Sequence, residues 1–120
     1  MPKRNNYTLA GINFPNKTYI KEWWRTIKDT AELGTPLTGI NLAFVCDVLS
    51  KGHPDWDTKS LNMSHLMIAN KAQKLDDGRY ATDRCAFIVY NDGSQDDISV
   101  KWAYEKLQPN ERVGEVSIDA

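Results

Sequence analysis

Two histidines, two groups of carboxylates and one row of basic residues are the side chains of this 120-residue chain whose types and spacing could do chemistry. His53 stands in Gly52-His53-Pro54-Asp55-Trp56, and His65 stands beside Leu66, Met67 and Ile68. Neither has a partner at His-x-x-x-His or Cys-x-x-Cys spacing, so no metal site is expected. His65 reads as a structural histidine within a strand. His53 reads first as the end of a helix, where unpaired carbonyls and the dipole favour a cationic imidazole; ligand contact or general-base action is the alternative. The pairing of His53 with Asp55 hints at hydrolysis. No Gly-x-Ser-x-Gly elbow or exposed cysteine supplies a nucleophile, so no catalytic residue is assigned.

The carboxylates gather at Asp76-Asp77 and at Asp92, Asp96 and Asp97. Two-metal nucleases hold Mg²⁺ with such groups, but Asp92 before Gly93 and Ser94 is better read as a turn former, and Asp96 and Asp97 as solvated neighbours. With no Gly-rich phosphate loop, no cofactor is expected. The basic row is Lys17, Lys21, Arg25 and Lys28, which fall on one side of a helix. Trp23 and Trp24 are adjacent in it, so one can face a core while the other lies about 100° round, near Lys21, Arg25 and Lys28. Nucleic-acid binding calls for basic groups with aromatic stacking platforms, and the chain has four Trp, five Tyr and three Phe. An ordinary solvated helix face is the plain alternative.

The elements that must position these groups follow from periodicity. Ile20, Trp23, Trp24, Ile27 and Ala31 mark one face of a helix over residues 17–32, with Asn16 as N-cap and Gly34 as stop. After a tight connector, Leu42, Val45, Cys46 and Leu49 repeat that spacing in a second helix, with Thr38 as N-cap and Gly52 at the C′ position. Residues 7–14 suggest a short edge strand or hairpin arm closed by Pro15-Asn16. Further strands are expected over 61–69, 84–90 and 97–100, with 70–83 a loop or the tip of a long hairpin. Asp92-Gly93-Ser94 joins the last two as an antiparallel pair. Residues 101–107 form a short helix with Trp102, Ala103 and Leu107 inward. The fold class is thus α+β: two N-terminal amphipathic helices packed on a small, mainly antiparallel sheet, with a short C-terminal helix.

Bulk properties bound the function. Fifteen basic and sixteen acidic side chains give a formal charge of −1, so any nucleic-acid contact needs a local patch rather than a global field. Hydrophobic content of 41% is ordinary for a globular chain, and no stretch approaches the roughly 18 apolar residues of a membrane span. Cys46 and Cys85 sit in apolar runs and read as buried free thiols, which fits a reducing, cytoplasmic setting. No signal peptide or anchor is read, and the organisation expected is a short basic segment (1–10), one domain (11–108) and an acidic tail (109–120).

The order of features carries a resemblance. Gly11-Ile12-Asn13-Phe14, a basic helix with Ile20 and Ile27, a connector from Gly34 to Gly39, an apolar helix with Phe44 and Leu49, then His53-Pro54 and Lys59 are followed by Arg84-Cys85-Ala86-Phe87, Asp92-Gly93-Ser94 and Asp97-Ile98-Ser99. From about Gly11 to Leu107 this resembles the DCL (defective chloroplasts and leaves) family of small DUF3223-like domains of unknown function. The resemblance implies work connected with ribosomal RNA processing or ribosome assembly, and no established catalytic mechanism. The family positions carried over are His53, Pro54, Lys59, Arg84, Asp92, Gly93 and Ser94. Where the family tends to have an aromatic and basic residues, this chain has Ile98-Ser99-Val100-Lys101, leaving Lys101 as the base after that strand. A stand-alone bacterial or phage protein is the expected source.

Three functions remain to be weighed. The first is a non-catalytic RNA- or DNA-associated module in which Lys59, Arg84 and the ridge of Lys21, Arg25 and Lys28 meet phosphate while His53 and Trp56 contact a base or sugar. The second is a module docking on a protein of the transcription or translation machinery. The third is a metal-dependent nuclease built on His53 and the aspartates.

Overall fold

The computed structural model describes residues 6–109, without the side chain of Gln73. The basic Lys3-Arg4 and the acidic residues beyond Pro109 therefore lie outside the described residues. Tyr7–Leu9 (β1) and Ile12–Phe14 (β2) pair as an antiparallel hairpin. Its turn is Ala10-Gly11, both at positive φ (54° and 78°), the geometry whose twist suits a two-residue hairpin. Gly11 thus makes the turn instead of interrupting a strand, and Pro15-Asn16 leads into the first helix.

That helix, Lys17–Thr30 (α1), starts as expected: Asn16 Oδ1 accepts from the Thr18 and Tyr19 amides at 2.9 and 3.3 Å. It stops earlier than Gly34, with Ala31 as C-cap. The connector that follows is not a bare link. The Gly34 and Leu37 amides donate to Ile68 and Leu66 carbonyls at 2.9 and 2.8 Å, and Pro36 forms a bridge opposite Met67. It therefore lies along the free edge of the first long strand and covers donors and acceptors that would otherwise invite another strand.

The second helix, Gly39–Gly52 (α2), has Thr38 in the N-cap position, without a side-chain bond. It buries Phe44, Val45, Val48 and Leu49, while Leu42 and Cys46 are half-buried. The buried arc is turned from the expected stripe because the hairpin and the last helix both lie against α2. Gly52 needs a second correction. It is the last helical residue, not the C′ cap; His53 caps the helix, its amide donating to the Leu49 carbonyl at 2.9 Å.

A single turn, Trp56–Lys59 (α3), leads to Met63–Lys74 (β3) and Tyr80–Tyr90 (β4), which pair along their whole length, and Gln95–Ile98 (β5) adds to the inner part of β4. Residues 70–83 are thus mostly strand, the two arms of a long hairpin. Asp92-Gly93-Ser94 makes the turn before β5: Gly93 has φ of +87°, and Asp92 Oδ1 accepts from the Ser94 amide at 2.8 Å. Val100 starts the last helix, Val100–Glu105 (α4), where Ser99 Oγ accepts from the Trp102 amide at 3.0 Å.

The core lies between the sheet face of Leu66, Ile68, Ala86, Ile88 and Ile98 and the helices, with Ile20, Trp24 and Ile27 from α1. Helix α4 rests against both α1 and α2 and buries Val100, Ala103 and Tyr104. Trp102, expected inward, is 39% exposed, because α4 turns its 100/103/104/107 face to the core. The architecture is α+β, with four helices and two small antiparallel sheets among the described residues. Among the described residues no helix is long and apolar enough to cross a membrane.

Candidate functional site

Helical geometry places Lys21, Arg25 and Lys28 one and two turns apart along α1, and the structure brings them to a cleft of about 390 Å3 between α1 and α4. Lys101 and Tyr104 close it from α4, Trp24 forms its floor, and among the described residues Asp29 is the one carboxylate lining it. Four cations against one anion make this a basic surface on a chain whose formal charge is −1. Lys28 Nζ lies 5.9 Å from the Trp24 ring centroid. Trp24 and Tyr104 are only 5% and 6% exposed, so both rings shape the cleft without offering a face to a base. Burial pushes the Tyr104 hydroxyl upward, with Glu105 adding to the rise, so the phenol stays neutral beside the cations. Lys17 leaves the ridge: its Nζ donates to the Glu105 carbonyl at 2.7 Å and ties α1 to the end of α4.

Sequence periodicity found three of these cations. Lys101 stands out in the sequence as the base after the last strand but not as a member of this ridge, and Tyr104 was missed; their i, i+3 spacing, which puts them on one face of α4, is the signal that could have joined them.

The positions carried over from the family resemblance are not gathered in this cleft. Lys59 donates to Asp96 Oδ2 at 2.5 Å. Arg84 Nη1 reaches the carbonyls of Lys28, Asp29 and Ala31 at 2.9, 3.3 and 3.2 Å, acting as a cation at the α1 C-terminus. One nitrogen has two hydrogens, so these three contacts amount to two good bonds. Replacing Arg84 with Met keeps the aliphatic stem and strands those carbonyls; the expected cost is about 2 kcal/mol in urea unfolding, with an unchanged m-value. Trp56 is half-buried at the fringe of the core, and Pro54 is exposed in the loop between α2 and α3.

His53 Nδ1 accepts from the Asp55 amide at 3.1 Å, so the neutral ring carries its proton on Nε2. Its acceptor nitrogen is already engaged in shaping its own loop. The ring also meets Trp102 edge-on, with centroids 5.0 Å apart. His65, half-buried in β3, has Ser64 Oγ 3.1 Å from Nδ1.

The aspartates are separately engaged. Asp92 accepts from the Ser94 hydroxyl as well as its amide, which holds its carboxyl below the usual range. Asp96 pairs with Lys59 and Asp97 with Lys71, and among the described residues no three His, Cys, Asp or Glu side chains gather as a metal would need. The Lys71 ammonium depresses the Asp97 carboxyl, and Asp97 in turn raises Lys71. A depressed carboxyl stabilises the fold at neutral pH and loses that contribution as the pH falls through its folded value. Asp97→Asn is therefore expected to lower the urea midpoint slightly at pH 7, the gap to wild type closing as the pH drops into the carboxylate range.

Cys46 and Cys85 are free and half-buried, and burial raises both thiols, so neither is a ready thiolate. A second, apolar cleft of about 540 Å3 lies between β2 and α1, lined by Ile12, Phe14, Tyr19, Trp23 and Ile27, with Glu22 its one charged residue among those described.

A family model described as "Protein of unknown function (DUF3223)" matches residues 25–103. The chain is also similar to the solution structure of an uncharacterized protein from Rhodospirillum rubrum, with 22% identity and a TM-score of 0.63 over 86% of this chain and 91% of that one. At that identity the likeness concerns the fold alone. No curated protein matches the chain.

Proposed function

The chain belongs to the DUF3223 family of proteins of unknown function, and from that premise we propose that it is a non-catalytic nucleic-acid-associated module whose α1–α4 cleft receives the phosphate backbone. The observation that carries this is the convergence of Lys21, Arg25, Lys28 and Lys101 on one cleft with, among the described residues, a single opposing carboxylate. Local charge of that kind attracts polyanions even when the whole chain is near neutral. Binding through four cations releases about four counterions. Log K for an RNA or DNA oligomer should therefore fall with log salt at a slope of about −3. A slope near zero, or no binding in low salt, removes the proposal.

The resemblance to DCL-family domains favours RNA, and ribosomal RNA processing or assembly is the setting it suggests. The free, high-pKa thiols are in keeping with a reducing cytoplasm. Hydrolytic chemistry at His53 draws little support, since its Nδ1 is engaged and Asp96 and Asp97 are each held by a lysine.

One observation favours the rival reading, a module docking on a protein of the transcription or translation machinery. The cleft between β2 and α1 is apolar and sits beside Tyr19, which is 57% exposed. Recovery of a stoichiometric protein partner after nuclease treatment, lost on Tyr19→Asp but kept when the basic cleft is reversed, would decide for it.

A further inference from the structure

The basic cleft lacks an exposed ring, but one lies on the neighbouring side of α4. Successive helical residues turn by about 100°, so Trp102 projects one step round from Lys101, across the outer face of the same helix. It is the exposed aromatic of α4, 39% accessible, while Tyr104 is buried. Three features hold it in place. Ser99 caps the first turn through the Trp102 amide at 3.0 Å. Gly52 fits against the backbone of Ala103 so closely that a Cβ there would fall 2.0 Å from the carbonyl oxygen. The His53 ring meets the indole at 5.0 Å and an angle of 71°. Lys106, one turn along, sets its ammonium 5.8 Å from the indole centroid.

We infer that Trp102 is a stacking platform for an unpaired base of single-stranded nucleic acid, whose backbone passes into the Lys21–Arg25–Lys28–Lys101 cleft. The inference rests on the nucleic-acid reading of that cleft and deepens it to a substrate class. An indole held by a helix cap, a glycine contact and a neighbouring ring loses little freedom on binding, which is what makes a rigid aromatic an effective anchor. Lys106 is exposed, so its flexible stem lets the ammonium swing off the ring face to admit a base and meet the adjoining phosphate. The His53 loop thereby becomes a support for the platform instead of a contact in its own right. Base stacking tolerates any sequence, so the site selects unpaired strands and not a particular base. Glu105 is exposed between Lys101 and Trp102 on the outer face, so the strand must carry its phosphates past this carboxylate, towards Lys101 on one side and Lys106 on the other.

The test measures binding of a fluorescein-labelled oligouridylate of about 12 nucleotides, and of an RNA duplex of equal length, to the whole protein and to Trp102→Ala and Trp102→Phe. Trp102→Ala should weaken single-strand binding about tenfold, leave duplex affinity and the salt slope unchanged, and be largely rescued by Trp102→Phe. A Trp102→Ala protein that binds the oligouridylate as wild type does overturns the inference while leaving the cleft reading intact. Equal losses on single strand and duplex overturn it as well, since they report damage to α4; so does equal loss in Trp102→Phe. Absence of binding to either probe by the wild-type protein overturns both the inference and the reading beneath it.

Discussion

Reversing two charges of the cleft, in Lys21→Glu with Arg25→Glu, is expected to lower affinity for an RNA oligomer by on the order of 100-fold at about 0.1 M salt. Both side chains are exposed on α1 and have no partner among the described residues that their loss would strand, so the unfolding midpoint should stay near wild type. The salt slope should drop by about two, because each lost cation leaves one counterion unreleased on binding. Lys59→Ala is the instructive control. Its ammonium is already held by Asp96, so affinity should change little while stability falls modestly. Anisotropy titrations at three salt concentrations separate these outcomes, and an unaltered affinity in the double variant would dismiss the cleft as the binding surface.

The largest expected effect on stability comes from adding one methyl group. Gly52→Ala should gain about 1 kcal/mol from helix propensity, yet its Cβ would stand 2.0 Å from the Ala103 oxygen and 2.7 Å from the carbonyl carbon. The steric term decides the sign. The obstacle is main chain, so no rotamer change relieves it; α2 and α4 must move apart, opening the contact that buries Val48, Leu49 and Ala103. Destabilisation of about 3 kcal/mol or more is expected, a fall in Tm on the order of 10 °C by calorimetry. A Tm within a degree or two of wild type would mean that α4 can shift freely on α2.

These two cases show how far the sequence could be read. Local chemistry was legible: Asn16 caps α1, Asp92-Gly93-Ser94 turns the chain into β5, and the 3.6-residue spacing found both long helices and three of the four cleft cations. What remained hidden depends on elements far apart in sequence. Gly52 invites a capping role until Ala103 is seen against it, and Trp102 reads as core until Val100 and Tyr104 claim the inner face of α4. Arg84 and Lys59 look like free cations in a motif, yet each has an intramolecular partner supplied by another element. A motif records which residues are kept together; whether a charge is spent on a helix end or offered to a ligand is settled by tertiary packing.

The paired arms of β3 and β4 have one more consequence. Pairing continues out to Lys74 and Tyr80, but β5 supports β4 only at 86–89, and most described residues of 70–83 are exposed. An unsupported two-stranded ribbon has marginal stability of its own. The molecule is therefore expected to open in two steps of very different cost. The outer arm can fray, exchange its amides and meet a protease near its tip while the helices, the basic cleft and Trp102 stay folded, so a clipped arm and an intact binding surface are compatible states of one protein.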